Sequence, residues 1–152
     1  MCGIVGFTGT QNAAPVLLDG LSKLEYRGYD SAGIAVVQGN QIAISKVTGR
    51  IQNLREKTDD GRLVPGTTGI GHTRWATHGA PNIINSHPHV SENGKFAVIH
   101  NGIIENYVEI KEFLIGQGIT FKSETDTEVV AQLLEFYYNE CHDFLEAVGR
   151  VL

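Results

Sequence analysis

A cysteine stands at position 2, directly after Met1 and before a short apolar run. If Met1 is removed, Cys2 carries a thiol and a free α-amine on the same carbon atom. The α-amine has a reference pKa of roughly 7.7–8.0, so part of it is uncharged near neutral pH and can accept a proton. Because the thiolate is a strong nucleophile, one residue could supply both nucleophile and general base. The alternative is that Cys2 is only a small buried residue at the start of a strand.

Polar groups that could complete such a site follow strand-like segments. Arg74 and Trp75 lie where a predicted strand ends and a long polar loop begins. A guanidinium can grip a carboxylate at two points, and the indole could cover a bound ligand. Asn101 and Gly102 close a later strand, where the side-chain amide and a backbone N–H could face one developing oxyanion. Asp126 could hold an ammonium. Each has an ordinary alternative. Arg74 could form a structural ion pair, Asn101-Gly102 could be a simple turn, and Asp126 could stabilise the first turn of a helix.

Four histidines lie close together between positions 72 and 89, which raises the question of a metal site. His87 and His89 could present two rings on one side of an extended segment. No second cysteine is near, carboxylates are few, and no H-E-x-x-H pattern occurs. The sequence therefore predicts no metal site. It also lacks a Gly-rich phosphate loop, so we expect no nucleotide and no other cofactor.

The segments that must position these residues alternate between strand and helix. Gly39-Asn40 suits a tight turn and predicts a hairpin, while Thr125 with Glu128 fits a capping box that starts a helix. The order of elements favours a layered α/β or α+β fold. Strands are predicted at residues 3–9, 31–37, 41–47, 67–73 and 95–101, helices at 12–24, 50–57, 105–117, from about 125 and from about 143, and a long loop at 74–92.

Composition limits the classes of partner and compartment. The chain has 152 residues, of which 41% are apolar and 19% charged, and its net charge of −5 is spread along the sequence. No basic patch is present to attract nucleic acid or an anionic membrane. No apolar run approaches the ~20 residues that span a bilayer, and no signal peptide is recognisable. Cys2 and Cys141 form no disulfide framework, which favours the reducing cytoplasm. We expect Cys141 to be a packing residue.

Taken together, six segments resemble the N-terminal-nucleophile amidotransferases, and most closely the glutaminase domain of the glucosamine-6-phosphate synthase family. The resemblance implies an α+β fold, a four-layer αββα sandwich. It covers the whole chain, so residues 1–152 are interpreted as the N-terminal part of a glutamine amidotransferase domain. The segments are residues 2–6, 26–33, 71–79, 87–89, 100–106 and 123–128.

The resemblance implies catalytic roles for three residues. Cys2 would attack the side-chain amide of L-glutamine, form a thioester and release ammonia. Its own α-amine, through a water molecule, would accept and return the proton. Asn101 and Gly102 would form the oxyanion hole, and the Gly102 carbonyl would also contact the substrate ammonium.

It also implies how glutamine would be held. Arg74, helped by Thr77 and the region of His78, would bind the α-carboxylate. Asp126 would bind the α-ammonium. Trp75 would belong to a glutamine-responsive loop that closes the pocket and helps to direct ammonia onward.

In the family, the ammonia aminates fructose 6-phosphate to glucosamine 6-phosphate. The family's glutaminase domain continues beyond residue 152, and a sugar isomerase domain follows it; we expect both to be missing from this chain. We expect a homo-oligomer for the full-length enzyme. The alternatives are a catalytically silent, glutamine-binding fragment or partner subunit and, more distantly, a peptidase or acylase with an N-terminal nucleophile.

Overall fold

The computed structural model describes residues 2–75 and 82–152. No helix within these two ranges is long and apolar enough to cross a membrane. The strands in the two ranges are β1 (Gly3–Thr8), β2 (Ser31–Gln38), β3 (Gln41–Thr48), β4 (Thr68–Arg74), β5 (His89–Val90) and β6 (Ala97–Val98). The helices are α1 (Ala13–Leu24), α2 (Ile51–Thr58), α3 (Tyr107–Gly116), α4 (Glu128–Cys141) and α5 (Phe144–Val151).

Four strands form an antiparallel sheet in the order β1-β4-β2-β3. The turn between β2 and β3 holds two residues, because Gln38 pairs with Gln41. Gly39 has a φ of 59°, as the first central residue of a type II′ turn requires, and this turn matches the twist of the flanking strands. The predicted hairpin is confirmed.

One face of this sheet is covered by α1 and α2. The buried positions of α1 recur at helical spacing, so that one stripe of the helix faces the strands. Leu17 and Leu21 are completely buried together with Ile34 and Val36 of the sheet and Leu54 of α2. This cluster is the main apolar core in the described residues, and it fixes the sheet that carries the start of β1 and the end of β4.

The other face of the sheet packs against the segment that leads into β5. A Cβ atom on Gly33 would collide with the carbonyl oxygen of His87, so the two layers approach closely at this point. Lys46 Nζ donates a hydrogen bond to the Ser86 carbonyl oxygen at 2.7 Å. Strands β5 and β6 pair with each other, and α4 packs on them. The order helix, sheet, sheet, helix confirms the predicted α+β sandwich.

The strand predicted at residues 95–101 is much shorter in the structure. It consists of Ala97–Val98, and its partner His89–Val90 lies inside the segment predicted as a loop. A tight turn separates them, in which the Gly94 N–H donates to the Ser91 carbonyl oxygen at 2.9 Å. The turn ends just before the predicted strand, and only Ala97 and Val98 of that segment pair with another strand.

The capping box predicted for Thr125 and Glu128 is wrong. Helix α4 begins at Glu128, and its N-cap residue Thr127 makes no side-chain capping hydrogen bond. The Glu128 carboxylate accepts instead from the backbone N–H groups of Lys122 and Ser123, at 2.9 and 2.6 Å. The acidic residue thus holds the loop before the helix, although the helix itself was predicted correctly.

Candidate active site

A small cavity collects the residues to which the sequence analysis assigned chemistry. It lies where β1 begins and β4 ends, beside the loops that contain residues 100–102 and 125–127, and its volume is about 50 Å³. Every predicted site residue in the described ranges belongs to its lining. The lining residues are Cys2, His72, Arg74, Trp75, His87, His100, Asn101, Gly102, Thr125, Asp126 and Thr127.

The register between β1 and β4 brings the thiol to the cavity. Gly3 pairs with Thr73, so the residue before β1 meets the end of β4. Cys2 is half-buried, and its Sγ lies 3.9 Å from the carbonyl oxygen of Trp75, a long and weak hydrogen bond. The nucleophile candidate and the Arg74-Trp75 pair are therefore neighbours through backbone pairing, although they are far apart in the sequence.

A close backbone approach fixes Arg74 and Trp75. Arg74 is 5% exposed and ends β4. A Cβ atom on Gly28 would lie 2.7 Å from the carbonyl carbon of Arg74, so a side chain at position 28 would push this strand end away. The Asp30 N–H donates to the Arg74 carbonyl oxygen at 3.2 Å, and the Tyr29 ring packs edge-on against Trp75 at 5.5 Å. The segment 28–30 thus supports the end of β4.

Asn101 and Gly102 sit on an exposed loop at the cavity mouth. Gly102 folds close to the ring of His100, and a Cβ atom on it would lie 2.7 Å from His100 Nε2. His100 Nδ1 in turn lies 3.5 Å from Thr127 Oγ1, which is a weak contact. The two candidate oxyanion donors are therefore placed by the loop backbone and not by burial.

Asp126 connects two of the loops that line the cavity. Its Oδ2 accepts a hydrogen bond from the Ile104 N–H at 2.7 Å. Its Oδ1 lies 3.4 Å from Thr127 Oγ1. The carboxylate is half-buried and belongs to the cavity lining, so it can meet a cationic group of a ligand there.

Three histidine rings contact one another in a row between the two sheets, and sequence analysis did not foresee this arrangement. The ring centroids of His72 and His87 are 4.5 Å apart, and those of His87 and His89 are 4.6 Å apart. Burial lowers the pKa of His72 and of His89 to about 4, and that of His87 to about 2. All three rings are neutral at pH 7. A general base works best with a pKa near the operating pH, which makes these imidazoles poorly suited to that role.

A buried carboxylate holds the loop that carries Asp126. Glu128 is 2% exposed and accepts hydrogen bonds from the N–H groups of Lys122 and Ser123 and from Ser123 Oγ. Burial alone would raise the pKa of Glu128, but the hydrogen bonds from Ser123 and Lys122 outweigh it and hold this pKa below its usual value. Thr125 Oγ1 lies 2.8 Å from Nε2 of His89. The loop is therefore bonded to both α4 and β5.

Thr77 and His78 lie outside the described residues, so their predicted roles stay predictions. The sequence analysis missed His72, His100, Thr125 and Thr127 as cavity residues. His87, which the sequence analysis considered as a metal ligand, also lines the cavity. Within residues 2–75 and 82–152, no group of three or more His, Cys, Asp or Glu side chains is arranged to hold a metal ion. The histidine spacing was a signal for a buried cluster, but only the sheet packing shows where that cluster lies.

Curated relatives match the whole chain but are much longer. It is 59% identical over 152 residues to glutamine–fructose-6-phosphate aminotransferase (isomerizing) of Caldanaerobacter subterraneus subsp. tengcongensis, a match that covers 100% of this chain and 24% of the relative. It is 56% identical over 148 residues to the enzyme of the same name from Clostridium tetani, covering 97% of this chain and 24% of the relative. The chain thus spans about a quarter of the length of these relatives.

Solved structures support the same relationship. Glutamine phosphoribosylpyrophosphate amidotransferase from B. subtilis, solved with ADP and GMP, superposes with a TM-score of 0.81 at 28% identity, covering 99% of this chain and 32% of that one. The structure described as the allosteric regulatory enzyme of purine biosynthesis gives a TM-score of 0.80 at 30% identity, covering the same shares. Residues 43–148 match the glutamine amidotransferase domain family. The chain belongs to the family of glutamine amidotransferase domains.

Proposed function

We propose that this chain hydrolyses L-glutamine to glutamate and ammonia through a thioester on Cys2. The observation that carries the proposal is the cavity itself, which brings together a thiol, a buried guanidinium, the Asn101-Gly102 pair and a carboxylate. These are the groups that an amide-hydrolysing site for a free amino acid needs. Membership of the glutamine amidotransferase family supports glutamine as the amide.

The reaction proceeds in two balanced steps. Cys2 Sγ attacks the side-chain amide carbon of glutamine, and its proton passes through a water molecule to the α-amine that is free once Met1 is removed. The carbon–nitrogen bond breaks, and the nitrogen takes up that proton and leaves as ammonia. Water then adds to the thioester, the carbon–sulfur bond breaks, and the proton returns to sulfur as glutamate forms. Asn101 Nδ2 and the Gly102 N–H stabilise the oxyanion in both steps.

Two charged residues, Arg74 and Asp126, bind the charged end of glutamine. Arg74 binds the α-carboxylate at two points, assisted by Thr77 and His78. Asp126, with the Gly102 carbonyl oxygen, binds the α-ammonium. The two charged groups lie at one end of the site and the thiol at the other. The distance between them selects a substrate with the length of the glutamine side chain. Trp75, which is 46% exposed, closes over the bound substrate.

The ammonia serves a second reaction in a longer enzyme. By analogy with the relatives named as aminotransferases, the acceptor is fructose 6-phosphate and the product glucosamine 6-phosphate. The partner that carries out this step is a sugar isomerase domain, in an enzyme that assembles as a homo-oligomer in the cytoplasm. The chain has only two cysteines and no disulfide framework, which supports this compartment.

The test compares two cysteine variants. Cys2→Ala should abolish glutamate release but still bind glutamine, whereas the matched control Cys141→Ala should keep wild-type turnover. A thiol-reactive glutamine analogue should add its mass at Cys2, and intact mass should show that active protein has lost Met1. Activity that survives in Cys2→Ala, or labelling mainly at Cys141, would reject the proposal.

A glutamine-binding chain without turnover is the second candidate. The exposure of Asn101 and Gly102 favours it, because oxyanion donors must be held within roughly 0.5 Å of their working position to stabilise the developing charge, whereas binding alone does not need them. Under this alternative, a chain processed at Met1 would bind glutamine in calorimetry without releasing glutamate. Release of glutamate by the processed chain would exclude it.

A further inference from the structure

The loop that carries the candidate oxyanion donors has little support of its own. Residues 101–103 and 105–106 are exposed, and Ile103 keeps 69% of its surface in solvent. Donors in an oxyanion hole must be held within roughly 0.5 Å of their working position if they are to stabilise the developing charge. An exposed loop needs a specific anchor to reach that precision.

The structure contains one such anchor, two residues after Gly102. The Ile104 N–H donates to Asp126 Oδ2 at 2.7 Å, across 22 residues of sequence. Ile104 is half-buried, unlike its exposed neighbours. A hydrogen bond from a backbone amide to an ionised carboxylate is shorter and stronger than one between neutral groups.

The loop that provides this anchor is itself tightly held. The N–H and the hydroxyl group of Ser123 donate hydrogen bonds to the Glu128 carboxylate. Thr125 Oγ1 is hydrogen-bonded to Nε2 of His89. The Glu124 N–H also donates to Oδ1 of Asn85 at 3.0 Å, and Asn85 is 1% exposed. Asp126 therefore belongs to a well-held loop, and its carboxylate bonds to a loop that is largely exposed.

We propose that the two oxygens of Asp126 divide two tasks. Oδ2 positions the oxyanion loop through the Ile104 N–H, while Oδ1 and the negative charge face the substrate ammonium. Asp126 thus affects the rate of the chemical step as well as glutamine affinity. The second task rests on the proposed function; the first is a contact that can be measured without it.

Two substitutions separate the tasks kinetically. Asp126→Asn keeps a carbonyl oxygen for the Ile104 N–H and removes the charge, whereas Asp126→Ala removes both. Both variants should raise the KM for glutamine about tenfold or more. The kcat of Asp126→Ala should fall about tenfold or more below that of Asp126→Asn. Equal kcat values in the two variants would overturn the positioning role.

Amide hydrogen exchange, followed by NMR, tests the anchor without any activity. In the wild-type chain, the Ile104 amide should exchange about tenfold or more slowly than the exposed Ile103 amide. This protection should persist in Asp126→Asn and disappear in Asp126→Ala. An Ile104 amide that exchanges as fast as Ile103 in the wild-type chain would overturn the proposal even if Asp126→Ala failed to fold. Protection in a chain without glutaminase activity would reject the proposed function and leave the anchor standing.

Discussion

At the scale of single residues, the cavity offers both charges that a free amino acid carries. Arg74 is 5% exposed and Asp126 half-buried, so ligand charges would meet them in a partly dehydrated setting. Electrostatic attraction is stronger where water is excluded. A variant that weakens either charge should therefore bind glutamine less tightly.

Arg74→Lys should behave as a severe change although the charge is kept. Lysine has no planar fork of donors, so the two-point grip on the α-carboxylate is lost. We expect glutamine affinity to fall about tenfold or more, which is about 1.4 kcal/mol. Steady-state kinetics and calorimetry measure this directly, and a loss confined to kcat would contradict the assignment.

Asn101→Ala is the comparison for Arg74→Lys, because it should lower kcat and leave glutamine affinity nearly unchanged. Removing one oxyanion donor costs a factor of order 10²–10³ in kcat. The KM should change little, since the donor acts on charge that develops after binding. An affinity defect in Asn101→Ala would exchange the roles assigned to the two residues.

At the scale of elements, the close approach of the two sheets at Gly33 is the most demanding contact. A methyl group there would meet the carbonyl oxygen of His87, which is backbone and cannot rotate away. We expect Gly33→Ala to lower the free energy of unfolding by roughly 1–3 kcal/mol, as overpacking does.

Gly6→Ala provides the matched control in the same sheet. A Cβ atom at Gly6 would meet nothing within 4 Å. Its effect should stay within about 0.5 kcal/mol, or be slightly stabilising, because alanine restricts the unfolded chain. Urea denaturation of both variants measures the difference, and equal losses would show that the sheets are not in tight contact at Gly33.

The three buried histidines between the sheets predict that the folded chain loses stability in acid. The pKa values of His72 and His89 fall from 6.5 to about 4 on folding, and that of His87 to about 2. Above pH 6.5 neither state is protonated. Below pH 6.5 the unfolded chain binds protons that the folded chain refuses, so stability falls as the pH drops from 6.5 towards 4. Each histidine can contribute up to about 1.4 kcal/mol per pH unit in this window.

Substitution of the middle ring tests this dependence. His87→Phe should reduce the slope of unfolding free energy against pH, because it removes a group that binds a proton more readily in the unfolded chain than in the folded one. Neither ring nitrogen of His87 has a hydrogen-bond partner within the described ranges, so the loss at pH 7 should be small. An unchanged slope in His87→Phe would refute the account.

Elements with a strong local signal could be predicted from sequence, and those made by distant contacts could not. Helix α1 and the β2–β3 hairpin follow from apolar spacing and a two-residue turn. Strands β5 and β6 have two residues each and exist because the turn between them and α4 hold them together. In the site, residue types pointed to Cys2 and Arg74. The Ile104–Asp126 bond needed the fold, because nothing in the sequence pairs a backbone amide with a carboxylate 22 residues away.

At the scale of the whole molecule, apolar surface concentrates beside the end of the chain. A groove of about 460 Å³ runs between the loop after β6 and helix α4, and Leu152 and Ile103 belong to its lining. Leu152 is fully exposed and Leu145 is 78% exposed. Exposed apolar surface beside a groove favours association with another molecule.

We therefore expect the 152-residue chain to self-associate or to melt at low temperature. A chain extended to the length of the curated relatives should melt higher and turn over glutamine faster. Light scattering, thermal melting and glutaminase assays on both forms would decide this. A monomeric 152-residue chain that unfolds cooperatively and matches the longer one in turnover would contradict the expectation.

The pairing of β1 with β4 also sets when the site can appear during folding. The contact between Cys2 and Trp75 joins residues 73 positions apart, and closing such a loop is an entropic cost that early local structure does not offset. On the ribosome, the cysteine emerges long before Asp126 has been synthesised. A nascent chain therefore carries a thiol without the other cavity groups, and the proposed chemistry has to await the long-range pairing of β1 with β4 and the synthesis of Asp126.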